Sequence, residues 1–131
     1  MSEYEHGRHA VYAIKYHLVW IPKRRKPVLV GDVARRLREI FDSVATDNGW
    51  TIIELAVQPD HIHLFVEATV REAPYQIVHA FKGRSSRLLR KEFPHLLKLP
   101  SLWTRAYFAA TVGHVSQETI ARYIEEQTGE D

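Results

Sequence analysis

The chain has 131 residues, 45% hydrophobic and 26% charged, with a formal net charge of +2, enough for one globular domain with a buried core but not for two. It contains no cysteine, which excludes disulfides, cysteine-ligated zinc, iron–sulfur clusters and a thiol nucleophile. Its apolar runs are too short for a transmembrane helix, and its start lacks the apolar core of a signal peptide, so a cytoplasmic location is expected.

The first half of the chain predicts a strand, a helix and a second strand. Residues Ala10–Ile21 alternate between apolar and polar side chains, as a half-buried strand does, and Pro22 ends that strand. Apolar residues then recur at helical spacing from Gly31 to the stop signal Asn48-Gly49. The next segment, Trp50–Val57, is rich in β-branched residues and predicts the second strand.

The second half predicts two more strands and two more helices. A short turn at Gln58–Asp60 leads into a third strand, His61–Ala68. Pro74 suits the first turn of a helix that ends before Pro94. A fourth strand is predicted from about Trp103 to Val112, and Ser116 can cap a last helix that runs to about Gln127.

This order, β-α-β-β-α-β and one extra helix, predicts an α+β protein with the ferredoxin-like fold, in which two helices cover one face of an antiparallel sheet. No repeat, low-complexity segment or linker interrupts it. The whole chain, residues 1–131, is therefore expected to be one domain, with a core of about 10–112 and a C-terminal helix of about 116–127.

The third predicted strand carries a pair of histidines. Because strand side chains alternate, His61 and His63 project from one face while Ile62 and Leu64 project from the other. If the apolar residues pack under the helices, both imidazoles lie on the uncovered face, where they can bind one divalent cation. Paired surface histidines without a metal are the alternative.

The last predicted helix places Tyr123 and Gln127 four residues apart, hence on one helical face. In isolation this pattern also fits a tyrosine packed on the sheet beside Ile120 and Ile124, with Gln127 as a solvated end residue.

Taken together, these motifs resemble the single-tyrosine HUH transposases, the small TnpA-type enzymes of insertion sequences that move as single-stranded DNA. The resemblance covers nearly the whole chain. Its matching segments are Tyr16–Trp20 with Pro22-Lys23, Pro59–Leu64, Phe81–Arg87, Leu102-Trp103, Tyr107-Phe108, Thr111–Gly113, Val115-Ser116 and Tyr123–Gln127.

By this resemblance, His61, His63 and Gln127 would bind a divalent metal, and Tyr123 would be the nucleophile. The reaction would cut and rejoin single-stranded DNA, without ATP, through a 5′-phosphotyrosine linkage. The substrate would be a hairpin-bearing strand at the ends of the element, and the enzyme would be a homodimer in which the tyrosine helix of one subunit can complete the histidine site of the other. Gly113 is a candidate hinge or a plain turn.

The neutral nitrogen and amide ligands of such a site leave the full charge of the cation available to the phosphate. Mg²⁺ or Mn²⁺ suits it, since imidazole ligands favour Mn²⁺ and cellular availability favours Mg²⁺.

DNA phosphates are expected to contact the basic clusters. Residues 1–112 carry 17 basic and 11 acidic side chains, whereas the rest carries one basic and five acidic ones. Clustered bases suit a polyanion, although solvated helix faces carry similar charge. The candidate DNA-binding residues are Lys23, Arg24, Arg25, Lys26, Lys82, Arg84 and Arg87. The aromatic residues Trp20, Trp103, Tyr107 and Phe108 could stack on bases or belong to the core or a dimer interface.

Three alternatives compete with this interpretation. A non-catalytic nucleic-acid-binding module on the same fold predicts stacking aromatics on the central strands, where this sequence has His61 and His63. A domesticated REP-associated tyrosine transposase would keep the chemistry but serve chromosomal repeats. A two-histidine phosphoesterase would need two separate His-x-Ser/Thr motifs, and the sequence has a single His-x-His pair.

Overall fold

The computed structural model describes residues 13–111 and 116–130. Strands, helices and two short 3-10 turns alternate along these ranges. In chain order they are β1 (Ala13–Trp20), a 3-10 turn (Lys23–Arg25), α1 (Gly31–Asn48), β2 (Thr51–Gln58), β3 (His61–Thr69), α2 (Pro74–Glu92), a second 3-10 turn (Pro94–Lys98), β4 (Phe108–Thr111) and α3 (Gln117–Glu126). Among the helices of the described ranges, none is long and apolar enough to cross a lipid bilayer.

The four strands form one antiparallel sheet in the order β2-β3-β1-β4. With α1 and α2 as connections, this is the predicted ferredoxin-like arrangement, and the fold prediction is confirmed. In the described part of the chain, the predicted boundaries of the helices and of β1 to β3 differ from the observed ones by one residue or two. The predicted positions 10–12 of the first strand, together with Val112 and Gly113, lie outside the described residues.

Strand β4 is shorter than the sequence predicts, because it begins at Phe108 and not at Trp103. Trp103 forms only an isolated bridge with Pro22, which lacks the N–H group needed to continue a ladder. The carbonyls beyond it are diverted, since those of Thr104 and Ala106 accept hydrogen bonds from the Lys82 amine at 2.7 and 3.0 Å. A side chain of α2 therefore holds the chain out of the sheet before β4 begins.

The helix ends follow the signals in the sequence. Gly49 ends α1 in the left-handed region at φ 74°, and its N–H donates to the carbonyl of Ala45. Pro74 occupies the first turn of α2, where its missing N–H costs nothing. Ser116 caps α3 as predicted, since its hydroxyl accepts from the N–H of Thr119 at 3.2 Å.

The core lies between α1, α2 and one face of the sheet. Trp20 on β1 and Leu64 on β3 are fully buried there, and the rings of Phe41 and Phe81 pack across the two helices with centroids 4.8 Å apart. Burying side chains of this size stabilises a fold by about 1.5–3 kcal/mol each. The core therefore fixes which face of β3 is covered and which carries the histidines.

Two of the four aromatic residues considered for base stacking belong to this core. Trp20 is 0% and Trp103 is 5% exposed, and their rings contact each other edge to face. The indole N–H of Trp103 donates to the hydroxyl of Ser85 at 2.9 Å. Burial gives both residues a structural role, and Trp103 also has a satisfied N–H, whereas Tyr107 and Phe108 are half-buried.

Helix α3 packs on the opposite face of the sheet. Val19 points away from the main core and is nevertheless 0% exposed, because α3 lies against β1 on that side. Ile120 is the buried residue of this helix. We call the sheet face opposite α1 and α2 the histidine face.

Candidate active site

Strand β3 places His61 and His63 on the histidine face. Its side chains alternate strictly, with Ile62, Leu64 and Val66 at 0% exposure under the helices and the two imidazoles half-buried on the other side. The alternation that predicted this orientation is therefore confirmed.

A carboxylate holds His61. Asp60, the residue before β3, accepts from Nδ1 of His61 at 2.9 Å and, through its other oxygen, from Nε of Arg25 at 3.0 Å. Burial alone would raise the pKa of Asp60, but the hydrogen bonds from His61 and Arg25 outweigh it and hold that pKa below its ordinary value. The carboxylate is therefore ionised at neutral pH and accepts from Nδ1, so that Nε2 holds the lone pair when the imidazole of His61 is neutral.

His63 has a different neighbour. Its Nε2 shares a hydrogen bond of 3.0 Å with Nδ1 of His17, in which one ring donates and the other accepts. His17 also stacks on Phe65, with ring centroids 4.4 Å apart. Burial, and then the charge that His17 can carry, lowers the pKa of His63, although Glu54 acts in the opposite direction. His63 is therefore neutral at neutral pH, the form that binds metals.

Sequence reasoning missed His17 and Asp60 as members of the site. Alternation in β1 separates His17 from the core residues, but it does not say which residue of β3 lies opposite. The observed register pairs His17 with Phe65 and so brings it diagonally beside His63.

Tyr123 on α3 lies over the same face of the sheet. Its ring packs against Phe108 of β4, with centroids 5.6 Å apart. Phe108 pairs with Val19 of β1, and Val19 pairs with His63 of β3, so that these residues form one row across the sheet. The hydroxyl oxygen of Tyr123 is shielded from solvent in this arrangement.

Gln127 is the C-cap residue that follows α3, and it leads into a tail that packs against the start of the chain's first 3-10 turn. Its N–H donates to the carbonyl of Ile124, and the tail Thr128–Glu130 then meets the 3-10 turn Lys23–Arg25, which we call the basic turn. The N–H of Arg24 donates to the carbonyl of Gly129 at 2.5 Å, and the Lys23 amine donates to the carbonyl of Glu130 at 2.5 Å.

Only a glycine fits at position 129. Gly129 has φ +81°, and a Cβ atom there would clash with the backbone of Arg24 and Arg25. Since Arg25 also binds Asp60, the basic turn connects the end of α3 with the start of β3.

The structure divides the seven candidate DNA-binding residues into two groups. Lys23, Arg25, Lys82 and Arg84 have partners within the chain, Arg84 through an ion pair of 2.7 Å with Asp47. The other three, Arg24, Lys26 and Arg87, expose their side chains.

Within residues 13–111 and 116–130, no group of three or more His, Asp or Glu side chains is arranged to hold a metal ion. The predicted ligand set is of another kind, two imidazoles and a carboxamide, and it stays a prediction.

Lys82 also lines a cavity of about 470 Å³ between α2 and the segment before β4, together with Tyr75, His79, Trp103 and Tyr107. Burial lowers the pKa of its amine from 10.5 to about 8. The neutral amine keeps two N–H groups, enough for the carbonyls of Thr104 and Ala106.

This pKa predicts a pH dependence of stability. Between about pH 8 and pH 10.5 the unfolded chain binds a proton that the folded chain has released, so the contribution of Lys82 to the free energy of unfolding rises with pH in that window. Urea denaturation across it should therefore give a steeper upward trend for the parent chain than for Lys82→Met. Lys91→Met, a change of an exposed lysine on the same helix, is the control, and identical slopes for the parent and Lys82→Met would contradict the prediction.

Comparison with known proteins identifies the chain as a transposase. The model of the family described as "Transposase IS200 like" matches residues 10–127, which is nearly the whole chain. The chain belongs to this family, the TnpA-type transposases.

Individual relatives agree with this assignment. The chain is 39% identical over 128 residues to the ISDra2 transposase TnpA of Deinococcus radiodurans, a match covering 95% of this chain and 91% of that protein. It is 29% identical over 126 residues to the transposase for insertion sequence element IS200 of Salmonella typhimurium, covering 94% and 82%.

Two solved structures share the fold. A crystal structure from Deinococcus radiodurans, described as that of a transposase, superposes with a TM-score of 0.85 at 40% identity and covers 94% of this chain and 97% of its own. A REP-associated tyrosine transposase bound to a REP hairpin gives a TM-score of 0.54 at 16% identity and covers 95% and 69%, which supports the fold alone.

Proposed function

We propose that this transposase cuts and rejoins single-stranded DNA at the ends of an insertion sequence, through a 5′-phosphotyrosine linkage and with a divalent metal. The observation that carries the proposal is the placement of His61, His63 and Tyr123 on one face of the sheet, with Tyr123 joined to the row of His63 through Phe108 and Val19. The opposite face of the sheet is covered by α1 and α2.

In the first step the oxygen of Tyr123 attacks the scissile phosphorus. A bond forms between that oxygen and phosphorus, the bond to the 3′-oxygen breaks, and the proton of the phenol ends on the departing 3′-hydroxyl. Because a phenolate is a better leaving group than an aliphatic alkoxide, a 3′-hydroxyl can later attack the linkage and release Tyr123. The phosphodiester energy is kept in the linkage, so the reaction needs no ATP.

The side chains of the histidine face offer donor atoms that suit a divalent cation. His61 offers Nε2, since Asp60 engages Nδ1, and His63 is neutral because burial lowers its pKa. Gln127 is the proposed third ligand, through its amide oxygen. When bound, Mg²⁺ or Mn²⁺ polarises the phosphoryl oxygens and offsets the charge that develops during displacement. Nε2 of His63 must leave its hydrogen bond with His17 to serve as a ligand.

Helix α3 must move for catalysis, because the hydroxyl oxygen of Tyr123 is shielded from solvent in this arrangement. A homodimer, in which α3 of one copy serves the histidines of its own or of the partner chain, would allow such a movement. The DNA partner we propose is a hairpin-bearing single strand, and the likeness in fold to a hairpin-bound transposase is consistent with it.

Denaturing gel electrophoresis tests the proposal. Single-stranded DNA carrying the end of the element, labelled on the 3′ side of the cleavage site, should become covalently attached to the protein with Mg²⁺ or Mn²⁺. Label on the 5′ side should instead appear in a shorter free strand. A chelator should abolish both products, because the phosphoryl charge is then not offset.

Two outcomes would contradict this function. DNA binding without an adduct under any metal condition would favour the non-catalytic nucleic-acid-binding module on the same fold. An adduct that forms equally well with chelator present would remove the metal from the mechanism.

A further inference from the structure

Asp60 joins a histidine of the site to a cation of the basic turn. One carboxylate oxygen lies 2.9 Å from Nδ1 of His61, and the other lies 3.0 Å from Nε of Arg25. The three side chains are 23% to 34% exposed, so solvent does not surround the carboxylate on all sides. Both oxygens therefore serve contacts within the protein.

These contacts decide which nitrogen of His61 carries the proton. One oxygen of Asp60 accepts from Arg25 and the other faces Nδ1 of His61, so the geometry makes Nδ1 the donor in this contact. In the neutral imidazole, the form that binds a metal, Nε2 then holds the lone pair. The same contact restrains rotation of the ring. An imidazole that binds a metal through one nitrogen commonly donates from its other nitrogen to such a carboxylate, which orients the ring.

The two histidines of the pair are not equivalent in this respect. Nε2 of His63 faces another imidazole, that of His17, and either ring can be the donor. His61 is thus the member of the pair with a fixed tautomer.

Arg25 completes the arrangement from the other side. Its backbone lies under Gly129 of the tail, where no Cβ atom fits, and its side chain reaches Asp60. The carboxylate is therefore fixed by a residue that is itself held in place.

We propose that Asp60, restrained by Arg25, is a positioning residue that presents Nε2 of His61 to the divalent metal. The inference rests on the proposed function, because it assumes that His61 is a metal ligand. It gives Arg25 a structural task in addition to the contact with DNA phosphates predicted from the sequence.

Two measurements on the full chain without DNA test the role of Asp60. In the metal-free protein, at a pH where the imidazole is neutral, NMR of the ring nitrogens should show the Nδ1-protonated tautomer of His61. In Asp60→Asn, whose amide can both donate and accept, that preference should be lost. Titration with Mn²⁺ should then show affinity weaker by about 10- to 100-fold.

Matched variants make the outcome specific. Asp42→Asn, a change of an exposed carboxylate on α1, should keep the Mn²⁺ affinity of the parent chain. Arg25→Gln leaves Asp60 in place and should weaken Mn²⁺ binding in the same direction but less. It also provides a second test if Asp60→Asn does not fold.

The possible failures can be told apart. Unchanged Mn²⁺ affinity in both Asp60→Asn and Arg25→Gln, with DNA cleavage intact, overturns the positioning role alone. A parent chain that binds no Mn²⁺ and forms no adduct overturns the proposed function, and the role of Asp60 with it. A neutral His61 whose proton is on Nε2 in the parent chain also overturns the inference.

Discussion

Tyr123→Phe is expected to form no covalent adduct with single-stranded DNA while still binding it. The substitution removes only the nucleophilic oxygen, and the ring that packs against Phe108 at 5.6 Å stays. Without that oxygen no bond to phosphorus can form, so the loss of adduct should be complete. Denaturing electrophoresis measures the adduct, and a native gel shift with the same labelled strand measures binding.

Tyr75→Phe is the matched control for this experiment. Tyr75 is 59% exposed at the start of α2, far along the chain from the proposed nucleophile, and its substitution should leave the adduct yield unchanged. Equal adduct yields from Tyr123→Phe and the parent chain would refute the assignment of the nucleophile.

The second large effect is expected from His63→Ala. The substitution removes a neutral nitrogen donor from the histidine face, and raising the metal concentration within the ordinary range should not restore cleavage. Charge stabilisation by a bound metal contributes several kcal/mol to such a transition state, so the cleavage rate should fall by about 10²- to 10³-fold or more. Single-turnover cleavage of labelled DNA over a series of Mn²⁺ concentrations gives the measurement.

His95→Ala, which changes an exposed histidine of the second 3-10 turn, is the control for the removal of an imidazole. Cleavage by His63→Ala at the rate of this control would show that the β3 pair does not hold the catalytic metal. Circular dichroism on both variants would show whether the fold is kept.

The fold could be predicted from local patterns in the sequence. Period-two alternation in β3 predicted which face His61 and His63 occupy, because a one-residue shift would have placed Ile62, Leu64 and Val66 in water. Cap and stop signals at Ser116 and Gly49 gave the ends of two helices, since these residues satisfy or redirect backbone groups locally.

The contacts around the histidines could not be obtained in that way, because they depend on strand register and on side chains far apart in the chain. His17 and His63 are 46 residues apart, and Arg25 and Asp60 are 35 apart. The predicted start of β4 was wrong for a similar reason. The Lys82 amine of α2 donates hydrogen bonds to the carbonyls that the predicted strand would have used. Charge alone suggested that Arg25 contacts DNA, and only the structure brings it to Asp60.

The docking of Gly129 against the basic turn has a consequence for any exchange of α3 between two copies of the chain. A departing helix must first give up the main-chain bond from Arg24 and the bond from Lys23, and it can form both again on the corresponding turn of the other copy. These two bonds then contribute about equally to both arrangements and hardly change the equilibrium between them, whereas breaking them adds to the barrier for the exchange.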